Sequence, residues 1–180
     1  FFLGKERDKH IALDIMKRLL DKHQTSASAY YSYANLALLT KEYETAEKAI
    51  DKALSLKNNW DEASILKVTI LSRLDRNDEA IAWLEKTLTR YPGNYKLRMY
   101  FARKLVDSKK YGLAYKEFEK VYSSTQKPDA LYGMGLLANQ MDKMALAKKH
   151  FKSLTKIDGR MSSASFYLGQ IEEKEKNLSK

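Results

Sequence analysis

The chain contains no cysteine in its 180 residues. That excludes a disulfide framework, a thiolate zinc site and a cysteine nucleophile, while leaving the compartment open. Proline occurs twice and glycine seven times. An all-β chain needs many more turn residues, so the scarcity points to helices with short connections. No run of about 18 apolar residues is present, so no stretch reads as a bilayer-spanning helix. Phe1 is followed by neither a charged leader nor an apolar signal core. The sequence therefore reads as a fragment or processed form, with Phe1, Phe2 and Leu3 as remnants of an upstream helix.

The composition itself is 44% hydrophobic and 31% charged, which suits one or two folded domains rather than a disordered tail. Two stretches then raise a question: residues 30–50 read YYSYANLALLTKEYETAEKAI and residues 131–151 read LYGMGLLANQMDKMALAKKHF. They have equal length and place small, apolar and aromatic residues at nearly the same steps. Small residues recur at Ala12, Ala46, Ala80, Ala114 and Ala147, at intervals of 34, 34, 34 and 33. Four positions after each stands Met16, Ile50, Leu84, Phe118 or Phe151, and seven after each Leu19, Ala53, Thr87, Val121 or Leu154. Twelve positions before the last four lie Ala34, Val68, Ala102 and Gly135.

Steps of three and four are helical, so each unit reads as two amphipathic helices. The small residues mark where the helices cross closely, since larger side chains would separate the backbones. Asn58-Asn59, Pro92-Gly93 and Asp158-Gly159 read as ends of second helices. Asn77 and Asp142 read as caps of second helices, and Pro128 as a first-turn residue.

With this period and spacing the chain resembles the tetratricopeptide repeat (TPR) family, whose 34-residue pattern carries a small residue three to four steps before an aromatic. The style of the aromatic-rich, degenerate repeats is similar to bacterial TPR segments of envelope-associated or lipoprotein-type assembly proteins. Single repeats depart from the pattern: Ser64 stands where tryptophan is preferred and Lys67 where leucine is. The resemblance implies an all-α fold, a right-handed TPR-like solenoid of antiparallel helix pairs forming one array over 1–180. Its parts would be a half repeat at 6–22, repeats at 27–60, 61–94, 95–127 and 128–160, and a closing helix at 161–177.

The resemblance further implies a groove lined by the first helix of each pair, binding a protein or peptide as a scaffold or assembly factor. Carried over position by position, its lining includes Tyr31, Asn35, Arg73, Met99, Arg103, Tyr132, Asn139 and Phe166. Tyr31, Met99, Tyr132 and Phe166 offer apolar anchors. The carboxamides of Asn35 and Asn139 both donate and accept, and the Arg103 guanidinium suits a carboxylate. The carboxylate clamp of chaperone-binding relatives does not fit. Its five positions read Tyr31, Asn35, Leu66, Lys96 and Tyr100, and only Asn35 and Lys96 agree.

Net charge is +10. Groove positions balance, with Arg73, Lys96, Arg103 and Lys174 against Glu62, Asp107, Asp129 and Glu173. The excess falls on second helices: Lys143, Lys148, Lys149, Lys152 and Lys156 in one repeat, and Lys109, Lys110, Lys116 and Lys120 in another. Such a ridge usually solvates a helix face. The alternative function is a basic accessory module contacting nucleic acid or an anionic membrane surface. No nucleic-acid motif is present, which argues against the first of these. Exposed terminal helices suit stacking into homo-oligomers.

Nothing points to catalysis, a metal or a cofactor. His10, His23 and His150 have no histidine four residues away, and Gly133 and Gly135 lie in a helical pattern with no strand before them. Localisation stays open between the cytoplasm and a bacterial envelope or periplasm.

Overall fold

A computed structural model describes residues 2–22, 26–157 and 162–178. The elements among them are ten α-helices: α1 (Phe2–Lys22), α2 (Ala27–Leu39), α3 (Tyr43–Leu56), α4 (Asp61–Arg73), α5 (Asn77–Arg90), α6 (Tyr95–Asp107), α7 (Tyr111–Thr125), α8 (Pro128–Gln140), α9 (Met144–Ile157) and α10 (Ser162–Leu178). Among the described residues the fold is all-α, a series of consecutive helix pairs. Contacts divide the chain into two compact units, Phe1–Pro92 and Gly93–Lys180.

In the first unit each helix packs on the next from α1 to α5, and the first helices α2 and α4 also touch. Alanines make this possible. Ala34 on α2 and Ala46, Ala53 on α3 are fully buried, and Ile50 and Ile70 fill the space between them. In the second unit the same chain of contacts runs from α6 to α10. Ala102, Ala114, Ala138 and Ala147 are fully buried there. Gly135 allows the closest approach: a Cβ at that position would lie 2.7 Å from the Phe151 ring, which is itself fully buried.

The turn inside each pair is built the same way four times. Lys41, Asp75, Lys109 and Asp142 all take the left-handed conformation, with φ of 64°, 59°, 57° and 55°. In the first, Glu42 N–H donates to Ala37 O at 2.8 Å and Lys41 N–H to Leu38 O at 3.1 Å. The pairs Arg76 to Leu71, Lys110 to Leu105 and Lys143 to Ala138 repeat it at 2.8–2.9 Å. These bonds satisfy the last carbonyls of each first helix, as in a Schellman motif, with no glycine at the left-handed position.

This geometry corrects several sequence readings. Asp142 closes α8 instead of capping α9. Asn77 is the first residue of α5, preceded by Arg76 as its cap with no side-chain cap bond. Among the described residues, Ser26 and Asn94 act as side-chain caps, accepting from Ala29 N–H and Leu97 N–H. Pro128 does open α8, and Asn59 takes a left-handed φ of 47° after α3. Asp158-Gly159 lies outside the described residues. Phe2 and Leu3 belong to α1 itself rather than to an upstream helix; Phe1 lies outside the described residues. Among the described side chains of α1, Leu13 and Leu20 are buried, whereas Ala12 and Leu19 are exposed. A one-residue shift turns a helix by about 100°, so the first half repeat packs in a different phase from the other four.

Lys67, a polar letter at an apolar family position, is accommodated by partners. Its ammonium pairs with Asp51 and lies 5.3 Å above the Trp83 ring.

Candidate peptide-binding groove

Tyr31 and Asn35 sit one turn apart on α2, both half-buried. The Tyr31 ring leans on Trp60, centroids 4.7 Å apart, and the Lys57 ammonium lies 4.6 Å above the same indole. Asn35 Nδ2 donates to Tyr31 O at 3.2 Å, so half of its carboxamide is held by its own helix and its oxygen is left to accept. Arg73 ends α4, exposed and without an ion pair among the described residues.

The second unit gathers more of the expected residues. Arg103 on α6 and Tyr132 and Asn139 on α8 line one cavity of about 770 Å³, within the second unit. Its floor is Phe118, Leu136 and Leu137, and Val106 borders it. Tyr111 and Tyr167 complete the aromatic wall, while Asp107, Asp129 and Gln140 join the polar rim. Tyr132 is fixed edge-on against Phe151 and Tyr167, with centroids 6.1 and 6.3 Å away. Met99 and Phe166 are not among the lining residues. Met99 is half-buried on α6, and Phe166 is 61% exposed with its ring edge against Tyr167.

Tyr111, Phe118, Leu137 and Tyr167 were not legible as lining. Phe118 comes from a second helix and reaches the cavity because Gly133 has no side chain; a Cβ there would lie 2.9 Å from the Phe118 ring tip. Tyr167 stacks on Phe151 at 5.2 Å and is one residue from the position that family register selects.

The polar rim has an electrostatic peculiarity. Among the described residues the side chains of Arg103, Asp129, Asn139 and Gln140 make no hydrogen bond or ion pair, whereas Asp107 is tied to Lys104 at 3.4 Å. One free cation, one free anion and two free carboxamides among the described residues thus surround an apolar floor with aromatic walls.

The lysine ridge is less free than its sequence suggests. Lys148 bonds Glu175 at 2.6 Å and lies near Glu172, and this pairing raises its pKa above the usual lysine value. Lys120 is held by Glu117 at 2.6 Å. Lys149, Lys152 and Lys156 remain exposed. Among the described residues no three His, Cys, Asp or Glu side chains cluster to hold a metal, and no helix is long and apolar enough to cross a membrane.

A tetratricopeptide repeat family model matches residues 3–63. No curated protein matches the sequence. Among solved structures the chain is similar to YrrB, a TPR protein with an unusual peptide-binding site, at 19% identity over 92% of this chain and 86% of that one, with a TM-score of 0.65. It is similar to pilF of Pseudomonas aeruginosa at 21% identity over 84% and 69% of the two chains, TM-score 0.64. MamA of Desulfovibrio magneticus follows at 16% identity over 86% and 88%, TM-score 0.64. Helix pairs, the recurring left-handed turn and these likenesses agree on the fold: it is the tetratricopeptide-repeat fold, one that generally serves protein–protein interaction.

Proposed function

We propose that the chain is a scaffold or assembly factor that binds a partner polypeptide along its first helices, with Tyr31, Asn35, Arg73, Met99, Arg103, Tyr132, Asn139 and Phe166 as candidate contacts. The observation that carries this reading is the second-unit cavity, where polar side chains without a partner among the described residues ring an apolar floor with aromatic walls. Concave, mostly apolar sites with a few convergent polar groups are the usual form of a binding pocket. YrrB, a protein of the same fold, has a peptide-binding site, which supports the choice of ligand. The recurrence of the left-handed turn at 41, 75, 109 and 142 supports repeats at 27–60, 61–94, 95–127 and 128–160.

The test is a pull-down scored by mass spectrometry, with three baits. They are wild type, a groove variant (Arg103→Glu, Tyr132→Ala, Asn139→Ala) and a ridge variant (Lys149→Glu, Lys152→Glu, Lys156→Glu). A protein lost only with the groove variant supports the reading. Nucleic acid or lipid lost only with the ridge variant would move the function to the basic accessory module. Self-association through a terminal helix is a second reading, favoured by Ile11, Ile15 and Leu19. They lie four residues apart on α1 and are 49%, 53% and 52% exposed. Mass measured by light scattering over a dilution series decides it; a monomer at all concentrations removes it.

A further inference from the structure

The cavity of the second unit has more content than a generic groove. At about 770 Å³ it lies in the range of ligand clefts, roughly 300–1,000 Å³, and exceeds what a single side chain fills. Its floor is apolar and rigid. Phe118 is 4% exposed and pinned against Gly133, Leu137 is 3% exposed, and Tyr132 is braced by two further rings. A floor held this way accepts a bulky apolar group with little reordering, which favours tight seating.

The rim carries charge of both signs, from different helices. Arg103 projects from the middle of α6, and Asp129 stands in the first turn of α8. Neither has an ion-pair partner among the described residues, while Asp107 is already paired with Lys104. Asn139 and Gln140, at the far end of α8, have carboxamides free to hold peptide N–H and C=O groups. An anionic small molecule would leave Asp129 opposed, and a cationic one Arg103. A ligand with both signs satisfies the two together.

We infer that this cavity takes an extended polypeptide segment in which one bulky apolar side chain sits on Phe118, Leu136 and Tyr132, flanked on one side by an acidic residue at Arg103 and on the other by a basic residue at Asp129. The inference rests on the peptide-binding reading above and adds the ligand's chemistry and its charge order.

The experiment is selection of a displayed library of random dodecapeptides on the full chain, repeated on two variants. Val106→Trp extends an indole into the cavity from its half-buried wall. The double variant Arg103→Asp, Asp129→Arg exchanges two exposed charges, so its folding is undisturbed even should Val106→Trp fail. Wild type is expected to enrich peptides with a large apolar residue between an acid and a base in one order. Synthetic versions should bind Val106→Trp at least tenfold more weakly, and the exchanged variant should enrich the opposite order. Enriched peptides without charge order, or with the same order on the exchanged variant, overturn the inference and leave peptide binding standing. Peptides that bind Val106→Trp equally well lie outside the cavity and also overturn it. No enrichment on wild type overturns the peptide-binding reading of this cavity itself.

Discussion

The Tyr115 hydroxyl lies 2.8 Å from His150 Nε2, joining the second helices α7 and α9 across the back of the second unit. His150 is 9% exposed, and its pKa is lowered by burial first and by Lys149 second, with Glu119 opposing. The folded chain thus holds the imidazole neutral in a range where the unfolded chain protonates it. This contribution to stability is complete above the unfolded value of 6.5 and is lost as pH falls through the lowered folded value. The urea midpoint should drop between pH 7.5 and 5.5, and the drop should shrink in His150→Gln. An equal drop in the variant would show that His150 does not carry the effect.

Gly135 and Gly112 should respond to alanine with opposite signs. At Gly135 the new Cβ meets the buried Phe151 ring at 2.7 Å, and overpacking costs about 1–3 kcal/mol. At Gly112, near the start of α7, nothing lies within 4 Å, so alanine should gain about 0.5–1 kcal/mol of helix propensity. Chemical denaturation of the two variants reads both. A stabilised Gly135→Ala would contradict the close approach of α8 and α9.

Lys109 holds a left-handed φ of 57° that a β-branched residue tolerates poorly. Lys109→Val should lose about 1 kcal/mol or more, whereas Lys109→Gly should be neutral or slightly stabilising. Equal stability of the two variants would argue against the shared turn.

Arg98 and Glu117 pair at 2.5 Å with side chains only 10% and 12% exposed. Glu117→Ala removes this carboxylate from a buried guanidinium and should cost about 1–3 kcal/mol. Lys120→Ala removes an exposed partner of the same carboxylate and should cost under about 1 kcal/mol. Similar losses in both variants would mean that Glu117 acts mainly through Lys120.

Much of the architecture is written locally. Ala46, Ile50 and Ala53 fall at helical steps and all three are fully buried; 34 residues on, Ala80 and Leu84 are buried as well, while Thr87 is half-buried. What depended on tertiary contact was less legible. In α1 the doublets Ala12-Leu13 and Leu19-Leu20 both satisfy helical spacing, so periodicity alone does not say which member faces α2. The left-handed turn residues are Lys and Asp rather than Gly, which removes the usual letter for a helix end. The groove register places Arg103, Tyr132 and Asn139 in the cavity. It does not reveal Phe118, which enters from α7 through the space Gly133 leaves.

The most direct test of groove binding is site-specific photo-crosslinking. A photoreactive phenylalanine analogue replaces Asn139 on the rim of the cavity or Lys152 on the exposed ridge, in extract of the organism that encodes the chain. Groove binding predicts polypeptide adducts from position 139 and none of comparable yield from position 152. Adducts confined to position 152, or nucleic acid and lipid in place of protein, would contradict it.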